Sequence, residues 1–393
     1  MEILNLLLGD EKLEEGLSVD IIARSTPSFT GPDLKSLCVS AALKCTQELE
    51  PDKNGEYPRR ILRRSHFNFA RLYVKRSGSN PLIKRKAATL NTTMSTYQDF
   101  TTPIPLSSAE RVAAYSLQEP GSPTIELGQA RHRIRIINTW GIPRGSRILE
   151  IGCGQGNCTA VLAEAVGPSG HIDAVDPAPG DYGSPFTLDQ SQAFLSEGPM
   201  GQRISWHRAD PMEFLAKGNE TWDVVVFLHC IWYFASPETL RDILAFLKGR
   251  VKAVYVAEYA LHASKATAVP HVLAAIARGT VEVHKAESNE NIRTLVGPRE
   301  IRGIAEAVGW SLEEESRIIP EDGLFDGMWE ASAVAGKGFL HEVESEIEDS
   351  RVATLVRSGR DAVISSAENV GGLKRVTTMD VWIGAFAVKR ENN

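Results

Sequence analysis

The sequence predicts an α/β protein: a doubly wound, mostly parallel sheet of seven strands with helical insertions, preceded by a small all-α segment. Three observations predict this. Short apolar runs alternate with helix-period segments five times between residues 148 and 258, and such alternation implies parallel strands covered by helices on both faces. A glycine-rich corner, Arg147 to Asn157 (RILEIGCGQGN), opens the alternation. The chain has 393 residues, enough for about two domains at roughly 150 residues each.

Helix-like apolar spacing marks Ile3–Leu8, Val19–Arg24, Gly31–Glu48 and His66–Val74. Thr30 or Asp33 suits the N-cap of the third helix, with Pro32 in its first turn. Between Arg59 and Lys86 basic residues accumulate without acids to balance them. Such a run is either a solvated helix face or a contact for phosphates or an acidic partner. Residues 76–95, polar and without helical period, read as a linker. This leaves a helical segment over 1–75 and a second domain over 96–393, with its core at 140–260 and lid or substrate elements at 261–378. Met94 would also make a sensible start for that domain alone.

In the second domain, helices at Arg111–Leu117 and Ile125–Trp140 precede the first strand, Ile148–Ile151. Arg131 and His132, on the second helix, face either a ligand or solvent. The alternation continues with helix Cys158–Val166, strand Ile172–Val175, a helix near Gln190–Ser196, strand Ile204–His207 and helix Met212–Lys217. Strand Val224–Phe227, helix Pro237–Leu247 and strand Ala253–Glu258 follow, then helices around Val269–Arg278 and Pro298–Val308. Trp310–Ile319 and Asp380–Val388 read as a sixth and a seventh strand. The helical stretch between them is too long for a hairpin and reads as a lid.

Gly152, Gly154 and Gly156 suit a turn whose backbone approaches a ligand closely, because a Cβ would block that approach and the turn needs φ > 0. Glu150 before them favours a ligand with an ammonium group over a pyrophosphate. Asp176, ending the second strand, is placed to take both hydroxyls of a ribose. In these residues the chain resembles the class I S-adenosylmethionine-dependent methyltransferases, whose first motif is E/DxGxGxG with an acidic residue closing the second strand.

The resemblance implies a Rossmann-like sheet and S-adenosylmethionine as methyl donor, its methionine part held by Glu150 and the backbone of Gly152–Gly156. Glu150 would act through a water or through backbone geometry. Asp210, in RADPMEF, resembles the residue that bonds the adenine amino group, with Met212 beside the ring. It also suits the N-cap of the next helix, and the two roles are compatible. In FLHCIWYF, His229 is either a core histidine or, at a strand end in the ligand crevice, the catalytic base. Glu258 either reaches the acceptor, caps a helix or pairs with a base. No metal-ligand spacing is present.

The stretches STPSFTGPDLKSLCVSAAL and RRSHFNFA resemble the C-terminal helical lid of AAA ATPases. No phosphate-loop motif accompanies them, which argues against ATPase activity and leaves an interaction module, a fusion relic or a joined gene model. The net charge of −7 disfavours nucleic acid as the main partner. Five cysteines without CxxC pairs suit reduced thiols in a cytoplasmic protein, and no targeting or membrane-spanning run is evident. The expected activity is methyl transfer to oxygen, nitrogen or carbon of a small-molecule acceptor, with secondary metabolism as the setting the resemblance suggests. The alternatives are a noncatalytic scaffold on a relic fold, and a protein or RNA methyltransferase docking through residues 59–86.

Overall fold

The computed structural model describes residues 104–118, 123–285, 288 and 290–389, with scattered positions between 4 and 67. The chain divides into two compact units, Met1–Gln98 and Asp99–Asn393. In the first, the Ser18 hydroxyl caps helix Val19–Ser25 by accepting from the Ile21 N–H. Leu4, Leu8, Ile22, Leu37, Leu62 and Phe67 belong to its apolar cluster. Lys12–Leu13 pairs in parallel with Ile61–Leu62, a contact that helical periodicity does not foresee. Thr30, Asp33, most of the basic run and the linker at 76–95 lie outside the described residues.

Labels below refer to the second unit. Helices α1 (Ala109–Ala113) and α2 (Pro123–Trp140) precede strand β1 (Arg147–Ile151). Then come α3 (Asn157–Val166), β2 (His171–Asp176), α4 (Leu188–Glu197), β3 (Ile204–Arg208) and α5 (Pro211–Ala216). These are followed by β4 (Trp222–Leu228), α6 (Pro237–Phe246), β5 (Val251–Tyr259), α7 (Val269–Glu282) and α8 (Pro298–Ala307). Strand β6 (Trp310–Ile318) leads into α9 (Asp326–Ala335), α10 (Lys337–Glu346) and α11 (Ser350–Asn369), and β7 (Val381–Val388) closes the sheet.

The strand order is β3-β2-β1-β4-β5-β7-β6, parallel except that β7 runs antiparallel between β5 and β6. The two-residue strand period sorts side chains between two cores. Ile148, Ile172, Ala174, Val224 and Val226 pack on the α1–α3 face, and Leu149, Ile151, Val175, Val225 and Phe227 on the opposite one. By that alternation Glu150 points to the α3 face, where helix NCTAVLAEAV is buried from Cys158 to Val166. All five cysteines are buried, and none is joined in a disulfide.

The lid predicted between the last two strands is the α9–α11 insertion, whose apolar faces pack with α7 in a third cluster that includes Ala274, Val281, Phe339 and Val363. Its entry is pinned: the Thr378 hydroxyl accepts from the Gly327 N–H and donates to Leu324 O. At Gly327 a Cβ would come within 2.3 Å of Thr377 O, so α9 starts against the segment leading into β7. That contact sets where Asp326 and Glu330, one turn apart on α9, project.

Candidate active site

The glycine turn lies at the carboxyl end of β1. Gly152, Gly154 and Gly156 have φ of 73°, 51° and 91°, a region that costs other residues roughly 1 kcal/mol or more. Their surroundings differ. A Cβ on Gly152 would meet Cys230 Cβ at 2.4 Å, and one on Gly156 would meet Leu195 and Trp206 within 2.7 Å, whereas one on Gly154 would meet nothing within 4 Å. The outer glycines permit packing, and the middle one faces open space. Asp176 braces that middle residue: one oxygen accepts from the Gly154 N–H at 2.8 Å and the other from the Ala178 N–H at 2.9 Å. Gln192 of α4 ties down Gly154 O at 2.8 Å.

Glu150 is 2% exposed and sits beneath this turn. Burial pushes its carboxyl up from 4.5 to about 7, against the opposing pull of the Thr159 and Cys158 side chains and of Arg133. Its Oε2 has no hydrogen-bond partner. Asp210 caps α5, its Oδ1 accepting from Met212 and Glu213 N–H. Met212 packs against the second core.

His229 ends β4 with φ 53°, a left-handed conformation rare outside glycine. Its N–H still bonds Ala257 O, while its ring is clasped from two sides. Nδ1 lies 3.4 Å from Glu258 Oε1 and Nε2 lies 3.2 Å from His132 Nε2. Glu258 is 1% exposed and held by the Ile231 and Tyr259 N–H groups, both at 3.0 Å. An ionised carboxylate only accepts, so Nδ1 of His229 carries the proton and its Nε2 accepts from His132 Nε2–H. The Nδ1 of His132 is then a bare lone pair, buried and without a partner. Burial, then the neighbouring His229 and arginines, hold His132 well below the usual imidazole value, so it is neutral.

A cavity of about 390 Å³ lies along α2, the glycine turn and α9, with Gln155, Asn157, Phe186 and Trp329 in its wall. A second of about 150 Å³ is lined by His132, His229, Glu258, Tyr259, His271 and Glu330 among others. The two share Gln129, Arg133 and Asp326. Neither is lined by Asp176 or Asp210.

The sequence and the fold have relatives among known proteins. A family model described as a methyltransferase domain matches residues 126–315. Methyltransferase phomM' of Diaporthe leptostromiformis is 29% identical over 283 residues, covering 61% of this chain and 73% of that protein. Methyltransferase phomM of the same organism is 28% identical over the same coverage. The crystal structure of a cyclopropane-fatty-acyl-phospholipid synthase-like protein from Lactobacillus casei superposes with a TM-score of 0.64 at 27% identity, over 72% of this chain and 100% of that one. The chain is an S-adenosylmethionine-dependent methyltransferase.

The residues present fit that donor: a desolvated carboxyl with an orphaned oxygen under the turn, and open space above Gly154 where a Cβ would stand. Of the two adjacent residues on α2, Arg131 pairs with Glu321 at the surface, and His132 alone turns inward to His229. The cavities of the methyltransferase are also lined by residues that sequence spacing did not single out. Glu126 accepts from Asn157 Nδ2 at 2.6 Å in the larger cavity, with its carboxyl raised by burial. Asp326 and Glu330 come from the lid, about one hundred residues beyond His229. Their four-residue spacing on a helix was the only signal that they share a face.

Proposed function

We propose that this methyltransferase transfers a methyl group to a small-molecule acceptor, with the donor bound over the glycine turn beside the larger cavity and the smaller cavity as acceptor compartment. The observation that carries this reading is the shared wall of Gln129, Arg133 and Asp326, which joins the cavity lined by Gln155 and Asn157, at the glycine turn, to the one lined by His229. The smaller cavity, about 150 Å³ under a packed lid, suits the head group of a small molecule and favours this reading over macromolecular docking or a relic fold.

When bound, S-adenosylmethionine supplies an electrophilic methyl carbon on a sulfonium. Asp176, held by two backbone N–H groups, keeps lone pairs for the ribose hydroxyls. The backbone of Gly152, Gly154 and Gly156, with the negative charge of Glu150 beneath it, holds the methionine part. Asp210 caps α5 through one oxygen, leaving the other for the adenine amino group, with Met212 beside the ring. His229 is the base in which the acceptor's proton comes to rest, its imidazolium paired with Glu258. Holding acceptor and donor in line provides most of the acceleration.

Calorimetry with S-adenosylmethionine tests this. The protein binds the donor, and Asp176→Ala weakens binding by about tenfold or more, since hydrogen bonds to a charged group contribute about 1.5–3 kcal/mol. A well-folded protein that does not bind the donor would refute the reading, and unchanged affinity in Asp176→Ala would remove the ribose assignment. Residues 1–75 form a helical module resembling the AAA lid in this proposal, joined through 76–95 to the methyltransferase domain at 96–393. Five buried cysteines outside any disulfide favour a cytoplasmic setting.

A further inference from the structure

The smaller cavity carries a pattern of charge that the donor leaves unused. Its wall holds three carboxyl groups, Glu258, Asp326 and Glu330, against one cation, Arg133. The rings of Trp232, Tyr233 and Tyr259 stand beside them. Glu258 is committed to His229 and two backbone N–H groups. Burial raises the Glu330 carboxyl against the opposing pull of the Asn291 amide and of the Arg278 guanidinium, which is itself paired with Glu282 and Glu342.

Independently of those carboxyls, two ring nitrogens of histidines lining the same cavity are buried without a partner, His132 Nδ1 and His271 Nε2. Their residues are 4% and 0% exposed. His271 Nδ1 accepts from the Met379 N–H at 3.1 Å, so its proton sits on Nε2, an unused donor. His132 Nδ1 is an unused acceptor, as its Nε2–H goes to His229. Buried polar groups are ordinarily satisfied, and an orphaned donor and an orphaned acceptor on one small cavity mark the places of ligand atoms.

We propose that this cavity binds an amine as the methyl acceptor, held as its ammonium ion by Asp326 and Glu330 against the aromatic rings, with an oxygen of the same molecule accepting from His271 Nε2–H. The proposal rests on the methyltransferase reading above. A hydroxyl would offer no positive charge to the carboxylates, and a carboxylate ligand would add a further negative charge to three. For transfer, one ammonium N–H bond breaks and its proton moves to His132 Nδ1. His132 passes its Nε2 proton to His229 Nε2, and the imidazolium charge comes to lie beside Glu258. The freed nitrogen lone pair forms the new N–CH₃ bond as the S–CH₃ bond breaks with its electron pair left on sulfur. A neutral thioether and a methylated ammonium result.

The test is calorimetry on the full chain saturated with S-adenosylhomocysteine, whose own binding is measured first. Benzylamine, benzyl alcohol and benzoate serve as matched cationic, neutral and anionic probes. Benzylamine is expected to bind about tenfold more tightly than the alcohol, with benzoate giving no heat. Glu330→Gln and Asp326→Asn are each expected to remove most of that preference, and Glu330→Gln, whose residue lines the smaller cavity alone, to leave S-adenosylhomocysteine affinity within about twofold. Phenylglycinol, an amine with an added oxygen, is expected to exceed benzylamine, and His271→Asn, which keeps an acceptor for the Met379 N–H, to abolish the gain. Equal affinity for amine and alcohol, tighter binding of benzoate, a preference that survives both carboxyl variants, or a phenylglycinol gain that survives His271→Asn overturns the amine site while S-adenosylhomocysteine binding keeps the methyltransferase reading. Failure of folded protein to bind S-adenosylhomocysteine overturns both.

Discussion

Replacing Glu150 by glutamine separates what this carboxyl does for the fold from what it does for the ligand. Buried beneath the glycine turn with one oxygen unpartnered, it titrates near 7 in the folded chain against an ordinary 4.5. Below about pH 4.5 it is protonated in both folded and unfolded chains and the shift has no effect on stability. As pH rises through 7 the unfolded chain releases this proton more readily than the folded one, so folding weakens. Once ionised, the buried carboxylate costs about 3 kcal/mol, at about 1.4 kcal/mol for each pH unit between the two values. Glu150→Gln removes that dependence. Its stability relative to wild type is therefore expected to rise by about 3 kcal/mol between pH 4.5 and 8.5 in the ligand-free protein. Urea unfolding followed by tryptophan fluorescence measures this, since all 7 tryptophans lie beyond residue 98 and report the second unit alone. Saturating S-adenosylmethionine is expected to flatten the wild-type pH dependence, its positive charge offsetting that of the ionised carboxylate. A stability difference that is constant with pH, or that shrinks as pH rises, would refute the reasoning.

The three glycines should behave differently. Gly156→Ala forces a methyl to within 2.6 Å of Leu195 and is expected to destabilise the domain by about 2–4 kcal/mol in denaturant melts. Gly154→Ala meets no clash, so it should cost only about 1 kcal/mol of backbone strain while lowering donor affinity in calorimetry; a melt equal to that of Gly156→Ala would contradict this. His229→Ala should cut turnover by about a hundredfold or more with donor affinity within about threefold, and undiminished turnover would return the residue to packing. Glu258→Gln should weaken the base without removing it, which a pH–rate profile displaced toward higher or lower pH would register and an unchanged profile would contradict.

Much of the scaffold was legible before any coordinates. Strands β1 to β5 lie within two residues of the apolar runs that announce them, most clearly β1 and β4, because a strand buried on both faces must be almost continuously apolar. The glycine turn and Asp176 were legible for a related reason, since they are local: a turn, its φ > 0 positions and the residue closing the next strand are written within thirty residues. The cap formed by Asp210 follows from the same short-range chemistry.

The proposed acceptor cavity is different in kind. Arg131 and His132 are neighbours on one helix, and only packing against β4 decides that His132 meets His229 while Arg131 meets Glu321. Asp326 and Glu330 reach the cavity because Gly327 fits tightly against the strand entering β7, a contact between segments some fifty residues apart. The proton positions on His132 and His271 depend on partners at His229 and Met379, each about one hundred residues away. By itself, then, the sequence determined an α/β sheet, a glycine turn braced by an acidic residue and, through its resemblance, the identity of the donor, since periodicity and turn chemistry act over short stretches of chain. Which carboxylates and ring nitrogens surround the acceptor was decided only by the tertiary structure, where the lid's packing brings together side chains that no local pattern relates.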